Sequence, residues 1–191
     1  WQRQNKVVIM VNNGIHPGEP DGIDASLMLV RDIVTGKRKL PDNIALGIIP
    51  VYNIGGSLNR GRYSRANQNG PKEYGFRGNA QNLDLNRDFT KADSYNARSF
   101  AKAFHFLNPD ILIDNHVSDG ADFQHVFTLL TSQYDKLGAP LGNWLRKNFE
   151  PSLYKGMDEK GWKIFPYVNF DGYDLSRGMT QFYDPPRYSS G

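Results

Sequence analysis

The chain contains no cysteine, and only four histidines and four glutamates occur among its 191 residues. Without cysteine it can build neither a disulfide framework nor a thiolate metal site. Any transition-metal centre must therefore come from imidazole and carboxylate. A strong charge excess is also missing: 23 Lys and Arg stand against 20 Asp and Glu, leaving +3 at neutral pH. The basic residues are scattered, and their densest run, Lys37-Arg38-Lys39, reads as the solvated end of a helix. No nucleic-acid partner is expected from such a distribution. Long hydrophobic runs are absent too, none approaching the ~20 residues of a membrane span, and no signal peptide is visible. Position 1 is Trp rather than Met, which suggests a mature form or a cut piece.

The residues that are present suit one globular domain over 1–191, with 39% hydrophobic and 13% aromatic content. Val7 to Val11 is a short apolar run closed by Asn12-Asn13-Gly14, the pattern of a buried strand and a turn. Asp21 is placed to cap a helix whose apolar positions Ile23, Leu27, Val30 and Val34 recur at helical spacing. A second buried strand is expected from Ile44 to Val51, broken at Pro50. Residues 53–83 are rich in Gly, Asn, Arg and Ser and read as a long functional loop. A helix over about 92–107, with Ala97, Phe100, Phe104 and Leu107 on one face, leads to a third buried strand starting at Ile111-Leu112-Ile113. His125 to Leu130 suggests a fourth strand, and Leu137, Leu141, Trp144 and Leu145 another helix. Pro166 to Gly191 shows no clear element. Strands alternating with amphipathic helices indicate an α/β fold, an α/β/α sandwich around a mixed, mostly parallel twisted sheet.

The first strand runs into Gly14-Ile15-His16-Pro17-Gly18-Glu19. Open α/β sheets bind ligands at the carboxyl ends of their strands, so chemistry is expected here. His16 and Glu19 stand three apart across a Pro-Gly turn, a spacing that lets an imidazole and a carboxylate converge on one cation. Two His and one Glu with an open fourth position is a known catalytic zinc set. His116, at the end of the third strand in Asp114-Asn115-His116, is the best third ligand. His105 and His125 read as structural.

Asn82-Leu83-Asp84-Leu85-Asn86-Arg87-Asp88-Phe89 adds a second constellation. Asn86 and Arg87 can bind a terminal carboxylate through charge-assisted hydrogen bonds. In an extended segment Asp84 shares a face with Asn86, with Arg87 beside them, and Asp84 can hold the second nitrogen of a ligand His. Arg77, in Phe76-Arg77-Gly78-Asn79-Ala80, can stabilise the oxyanion of amide hydrolysis. Arg60, Arg62 and Arg65 match no motif and read as exposed.

His-Pro-Gly-Glu, Arg-Gly-Asn-Ala, Asp-Leu-Asn-Arg and a distant strand-end His, in that order, resemble the carboxypeptidase A family of zinc peptidases, closest to its bacterial branch. The resemblance spans about residues 7–130. It implies one zinc per chain on His16, Glu19 and His116, with Asp84 supporting His16. It also implies Arg77 at the scissile carbonyl, and Asn86 and Arg87 on the free C-terminal carboxylate of a peptide or peptide-like substrate. Metal-assisted release of C-terminal amino acids and an exported location are the corresponding expectations.

The family's general-base Glu lies near the end of its domain, and none of Glu19, Glu73, Glu150 and Glu159 matches it. The resemblance also implies a Tyr shortly before that base, for which Tyr188 is the candidate. The chain is therefore expected to stop before the base strand and to hydrolyse peptides poorly. Two other readings stay open. One is an amidohydrolase of the aspartoacylase/succinylglutamate desuccinylase type, which prefers Gly-Asn where this chain has Pro17-Gly18. The other is a non-catalytic zinc or peptide-binding module.

Overall fold

A computed structural model describes residues 4–65, 70–118, 123–170, 175–177 and 179–182, the backbone alone for 168–170, 175 and 179–182. Tyr188 lies outside the described residues. Two compact units divide the chain, Trp1–Ala121 and Asp122–Gly191.

The first unit is built on a sheet of three parallel strands. β1 (Val7–Asn12) pairs with β2 (Ile44–Ile49) on one side and β5 (Ile111–Asp114) on the other. The β1–β2 connection is α1 (Asp21–Val34), and α3 (Tyr95–Leu107) precedes β5. The crossover from β1 to β2 moves one way across the sheet, and the one from β2 to β5 moves back the other way. Right-handed connections therefore put α1 and α3 on opposite faces of the sheet. The topological switch point therefore lies between the parallel strands β1 and β5, where an α/β sheet opens a crevice for ligands.

The core lies on the α3 side, where Met10, Ile15, Tyr52, Leu85 and Phe100 are buried together against Phe104 and Leu107. Ser94 caps α3, its side chain accepting from Ala97 N, and Asn108 closes the helix in the left-handed region at φ 45°. The helix thus begins three residues later than the apolar pattern alone suggests. On α1 the expectations need correcting. Pro20, not Asp21, is the capping position, and Asp21 instead adds negative charge to the first turn. The buried line is not the Leu27-Val30-Val34 stripe, for Val34 is 79% exposed, whereas Ser26 is buried. Small residues are needed there because the helix passes close to the strand ends. A Cβ on Gly22 would lie 2.5 Å from Asn115 Cβ, and Ser26 Oγ accepts from Asn13 Nδ2 at 2.9 Å.

The described residues of 53–83, which are 53–65 and 70–83, are more structured than the sequence suggests. They carry the short helix α2 (Ile54–Leu58) and the antiparallel pair β3 (Arg60–Gly61) and β4 (Tyr74–Gly75). Polar side chains, not apolar periodicity, hold them. Asn53 caps α2 by accepting from Gly56 N, and its amide donates to the carbonyls of Ile15 and Arg77 at 3.2 and 3.1 Å.

In the second unit β6 (Phe127–Leu129) pairs in parallel with β7 (Ile164–Pro166). α4 (Gly138–Trp144) continues through a π turn into α5 (Glu150–Asp158). Pro151 has no N–H for the usual i→i−4 bond, which accounts for the shifted ladder just before it. The tail, expected to lack elements, forms the antiparallel pair β8 (Val168–Phe170) and β9 (Met179–Phe182). Such short strands leave too few residues for a readable alternation. Among the described residues, no helix is long and apolar enough to cross a membrane.

Candidate metal centre

All of the candidate site residues that the structure describes lie in the first unit. His16 and Glu19 come from the turn after β1, and His116 from the residues just after β5. Their positions flank the switch point. The turn holds its shape because Glu19 N donates to His16 O at 2.9 Å, which brings both side chains to one side. Glu19 and His16 are buried, and the His116 side chain is 28% exposed.

The three groups converge. His16 Nδ1 lies 3.0 Å from Glu19 Oε1, and His116 Nδ1 lies 3.1 Å from Glu19 Oε2. The two rings stand 5.4 Å apart between centroids, with their planes crossed at 68°. One ligand atom from each residue falls within 4.8 Å of the others, the only such group found among the described residues. His16, Glu19 and His116 could thus hold a metal ion.

Each imidazole is gripped on its far side. His16 Nε2 is 3.0 Å from Asp84 Oδ1, and His116 Nε2 is 3.0 Å from Asp114 Oδ2. With its outer nitrogen donating to a carboxylate, a neutral ring keeps its Nδ1 lone pair for the centre. Metal-binding histidines are oriented in this way. The donor set of two nitrogens and a carboxylate suits zinc, so the residues fit the ion that the sequence suggests.

The electrostatics are those of closely facing opposite charges. Burial pushes the Glu19 carboxyl up, but hydrogen bonds from His116 and His16 outweigh it and hold it well below the usual carboxylate range. Asp84 behaves likewise, with burial opposed by the His16 hydrogen bond and by the charges of His16 and Arg77. Burial lowers the His116 pKa, yet hydrogen bonds to Asp114 and Glu19 raise it overall to about 10.

The Asp-Leu-Asn-Arg segment is not extended, as the spacing argument assumes. Leu85–Arg87 is a 3-10 turn capped by Asp84, whose Oδ1 accepts from Asn86 N at 3.0 Å. The fully buried Leu85 inserts into the core and drives the turn. Asp84 therefore serves as turn cap, His16 partner and Arg77 anchor together. Arg77 reaches Asp84 Oδ2 through Nε at 3.0 Å and Nη2 at 2.9 Å. Asn86 is buried, and Arg87 is exposed with Nη1 donating to Asn86 O at 2.8 Å. Glu73 is exposed and lines a recess of about 320 Å³ with Pro17, Pro20 and Tyr74. In the second unit, Thr131 Oγ1 donates to Glu150, and Glu159 lies 3.8 Å from Lys155.

Two residues of the site escaped the sequence reading. Asp114 stands two before His116 at the end of a strand, a spacing that puts both on one face and could have identified it. Arg65, expected to be exposed, is instead buried with Nη2 2.7 Å from Glu19 Oε1. Nothing in its local sequence signals that contact.

No family model matches the chain, and no curated protein matches it either. Solved structures do. A metallo-carboxypeptidase from Pseudomonas aeruginosa, in complex with (2-guanidinoethylmercapto)succinic acid, superposes with a TM-score of 0.63 at 17% identity. The match covers 87% of this chain and 40% of that one. A metallo-carboxypeptidase from Burkholderia cenocepacia matches with a TM-score of 0.59 at 19% identity, over 85% of this chain and 41% of the other. The fold is that of the metallocarboxypeptidases. This carboxypeptidase-like chain spans about 40% of the length of the solved structures it matches. The sandwich around a mostly parallel sheet read from the sequence agrees with it.

Proposed function

We propose that the chain carries the metal-binding and substrate-clamping residues of a zinc-dependent peptidase that releases C-terminal amino acids. One observation carries this reading. Two imidazoles turn their Nδ1 atoms to the two oxygens of one buried carboxylate, while an aspartate holds each Nε2. A purely structural polar cluster has no need to leave three metal-competent donors converging at a sheet crevice.

Zinc, when bound, supplies Lewis-acid polarisation of a carbonyl and activation of water. The protein's own groups do the rest. Asp84 and Asp114 fix both imidazoles. Asp84 also grips Arg77 through Nε and Nη2, so one carboxylate holds both the guanidinium and His16 at the centre. There it stabilises charge that develops as the amide is attacked. Asn86 and Arg87, on the same 3-10 turn, take the terminal carboxylate. The succinic acid derivative bound by the Pseudomonas aeruginosa protein is a carboxylate ligand of the same kind. Glu19 belongs to the metal group, and Glu73 points to no role at the centre. Proton transfer to the leaving amine thus has no assigned carboxylate, so turnover by the 191-residue chain is expected to be slow by about 10²–10⁴-fold.

Metal analysis of the purified chain, followed by assays of C-terminal amino-acid release and of N-acyl amino-acid cleavage, tests the proposal. One zinc per chain with even slow amino-acid release is expected. Cleavage of N-acyl amino acids alone would identify an amidohydrolase. Peptide binding with no hydrolysis of either substrate would identify a binding module, and failure to take up zinc would end the metal reading.

A further inference from the structure

Arg65 lies just beyond β3 and is 8% exposed. Its Nη2 meets Glu19 Oε1, the oxygen that also faces His16 Nδ1, at 2.7 Å. Glu19 Oε2 is engaged separately, by His116 Nδ1 at 3.1 Å and by Val117 N at 3.0 Å. The arginine stem reaches this carboxylate by passing Gly18. A Cβ at Gly18 would lie 3.2 Å from both Arg65 Cβ and Cγ, and 3.1 Å from the Gly75 carbonyl. The backbone oxygen cannot yield easily, so the glycine in His-Pro-Gly-Glu makes room for the arginine. Arg65 is thus built into the centre.

We propose that Arg65 is a positioning residue that shares Glu19 with the bound metal, orienting the carboxylate while moderating how tightly a divalent cation is held. The inference rests on the metal reading above. A guanidinium stays charged at every accessible pH, and here it draws on the same carboxylate as the cation. Two positive charges within a few ångströms repel each other even at the effective dielectric of a protein surface. A neutral residue at 65 would leave the whole Glu19 charge to the metal. In metal-stripped protein the same change would leave a buried carboxylate with one cation fewer, which is destabilising. The two effects have opposite signs, and a merely structural ion pair would not produce both.

The test uses the full chain, stripped of metal, with Arg65→Met (which keeps the stem) and Arg65→Lys (which keeps the charge). Zinc is titrated against a chromophoric chelator, and thermal midpoints are measured with and without zinc. For Arg65→Met the expected result is a zinc Kd about tenfold lower than wild type. Its midpoint falls without zinc and largely recovers with it. Arg65→Lys should stay within about threefold of the wild-type Kd. An unchanged or higher Kd in Arg65→Met, or equal midpoint losses with and without zinc, overturns the inference while leaving the metal reading intact. Should Arg65→Met fail to fold even with zinc, Arg65→Lys decides, and a Kd shift beyond about threefold counts against charge sharing. If wild-type protein binds no zinc, the metal reading falls and this inference falls with it.

Discussion

Asp114 Oδ2 stands 3.0 Å from His116 Nε2, on the far side of the imidazole from Glu19. The contact follows from strand geometry, since residues two apart share a face. Asn12 Nδ2 in turn donates to Asp114 Oδ1 at 2.9 Å, tying the carboxylate to the neighbouring strand. On the opposite side, Asp84 grips His16 at the same distance although it comes from a different loop.

The first prediction is that Asp114→Ala lowers zinc affinity about 10–100-fold, the usual consequence of losing a ligand histidine's partner. Chelator competition on the purified variant measures it. Wild-type affinity in the variant would show that His116 needs no such support or is not a ligand.

Stability of metal-stripped protein should fall as pH rises from about 6.5 to about 10. The folded pKa of His116 is raised from 6.5 to about 10, so folding favours its protonated form. That contribution is fully present below the unfolded value and is lost as pH passes up through the folded one. Zinc reverses the preference, because a ligand nitrogen must be deprotonated. Denaturation midpoints across this range, with and without zinc, should therefore diverge with increasing pH. Parallel curves would contradict the charge pairing of His116 with Asp114 and Glu19.

Asn53→Ala should destabilise the protein by about 2–4 kcal/mol, since buried groups that lose their partner each cost about 1–3 kcal/mol. The fully buried amide serves Ile15 O, Arg77 O and Gly56 N together. Chemical denaturation gives the value. A loss below 1 kcal/mol, on the order of one exposed hydrogen bond, would mean that the loop does not depend on this staple.

Arg87→Ala should weaken binding of ligands ending in a free carboxylate about 10–100-fold, in line with a charged hydrogen bond of about 1.5–3 kcal/mol. Amide-capped versions of the same ligands should be affected far less. Calorimetric titration of acid and amide pairs separates the two. If wild type and variant both treat acid and amide alike, the carboxylate clamp is wrongly assigned.

The strands β1, β2 and β5 were legible because strands of a parallel sheet are nearly continuous apolar runs, although only β1 is largely buried, β2 being half-buried and Leu112 and Ile113 of β5 exposed. The helix α3 was legible through Phe100, Phe104 and Leu107, and its true start at Ser94 could be read only as a capping choice. Residues 53–83 were not legible as structure. Asn53 and Asn79 order them through single side-chain hydrogen bonds to the backbone, which leave no periodic trace.

The sequence by itself determined the sheet crevice and the candidate ligands, because His16 and Glu19 stand in the turn after β1 and His116 just after β5. Local chain direction is enough to carry them to the same edge of the sheet. Only the tertiary structure decided which nitrogen of each imidazole faces Glu19, since that depends on Asp84 approaching from another loop and on Asp114 being held by Asn12 of the neighbouring strand. It alone decided the place of Arg65 as well. Arginine is usually exposed, and nothing beside it in the chain explains its burial. Its partner is a carboxylate on another loop, brought within 2.7 Å by the close packing of Gly18 against the arginine stem.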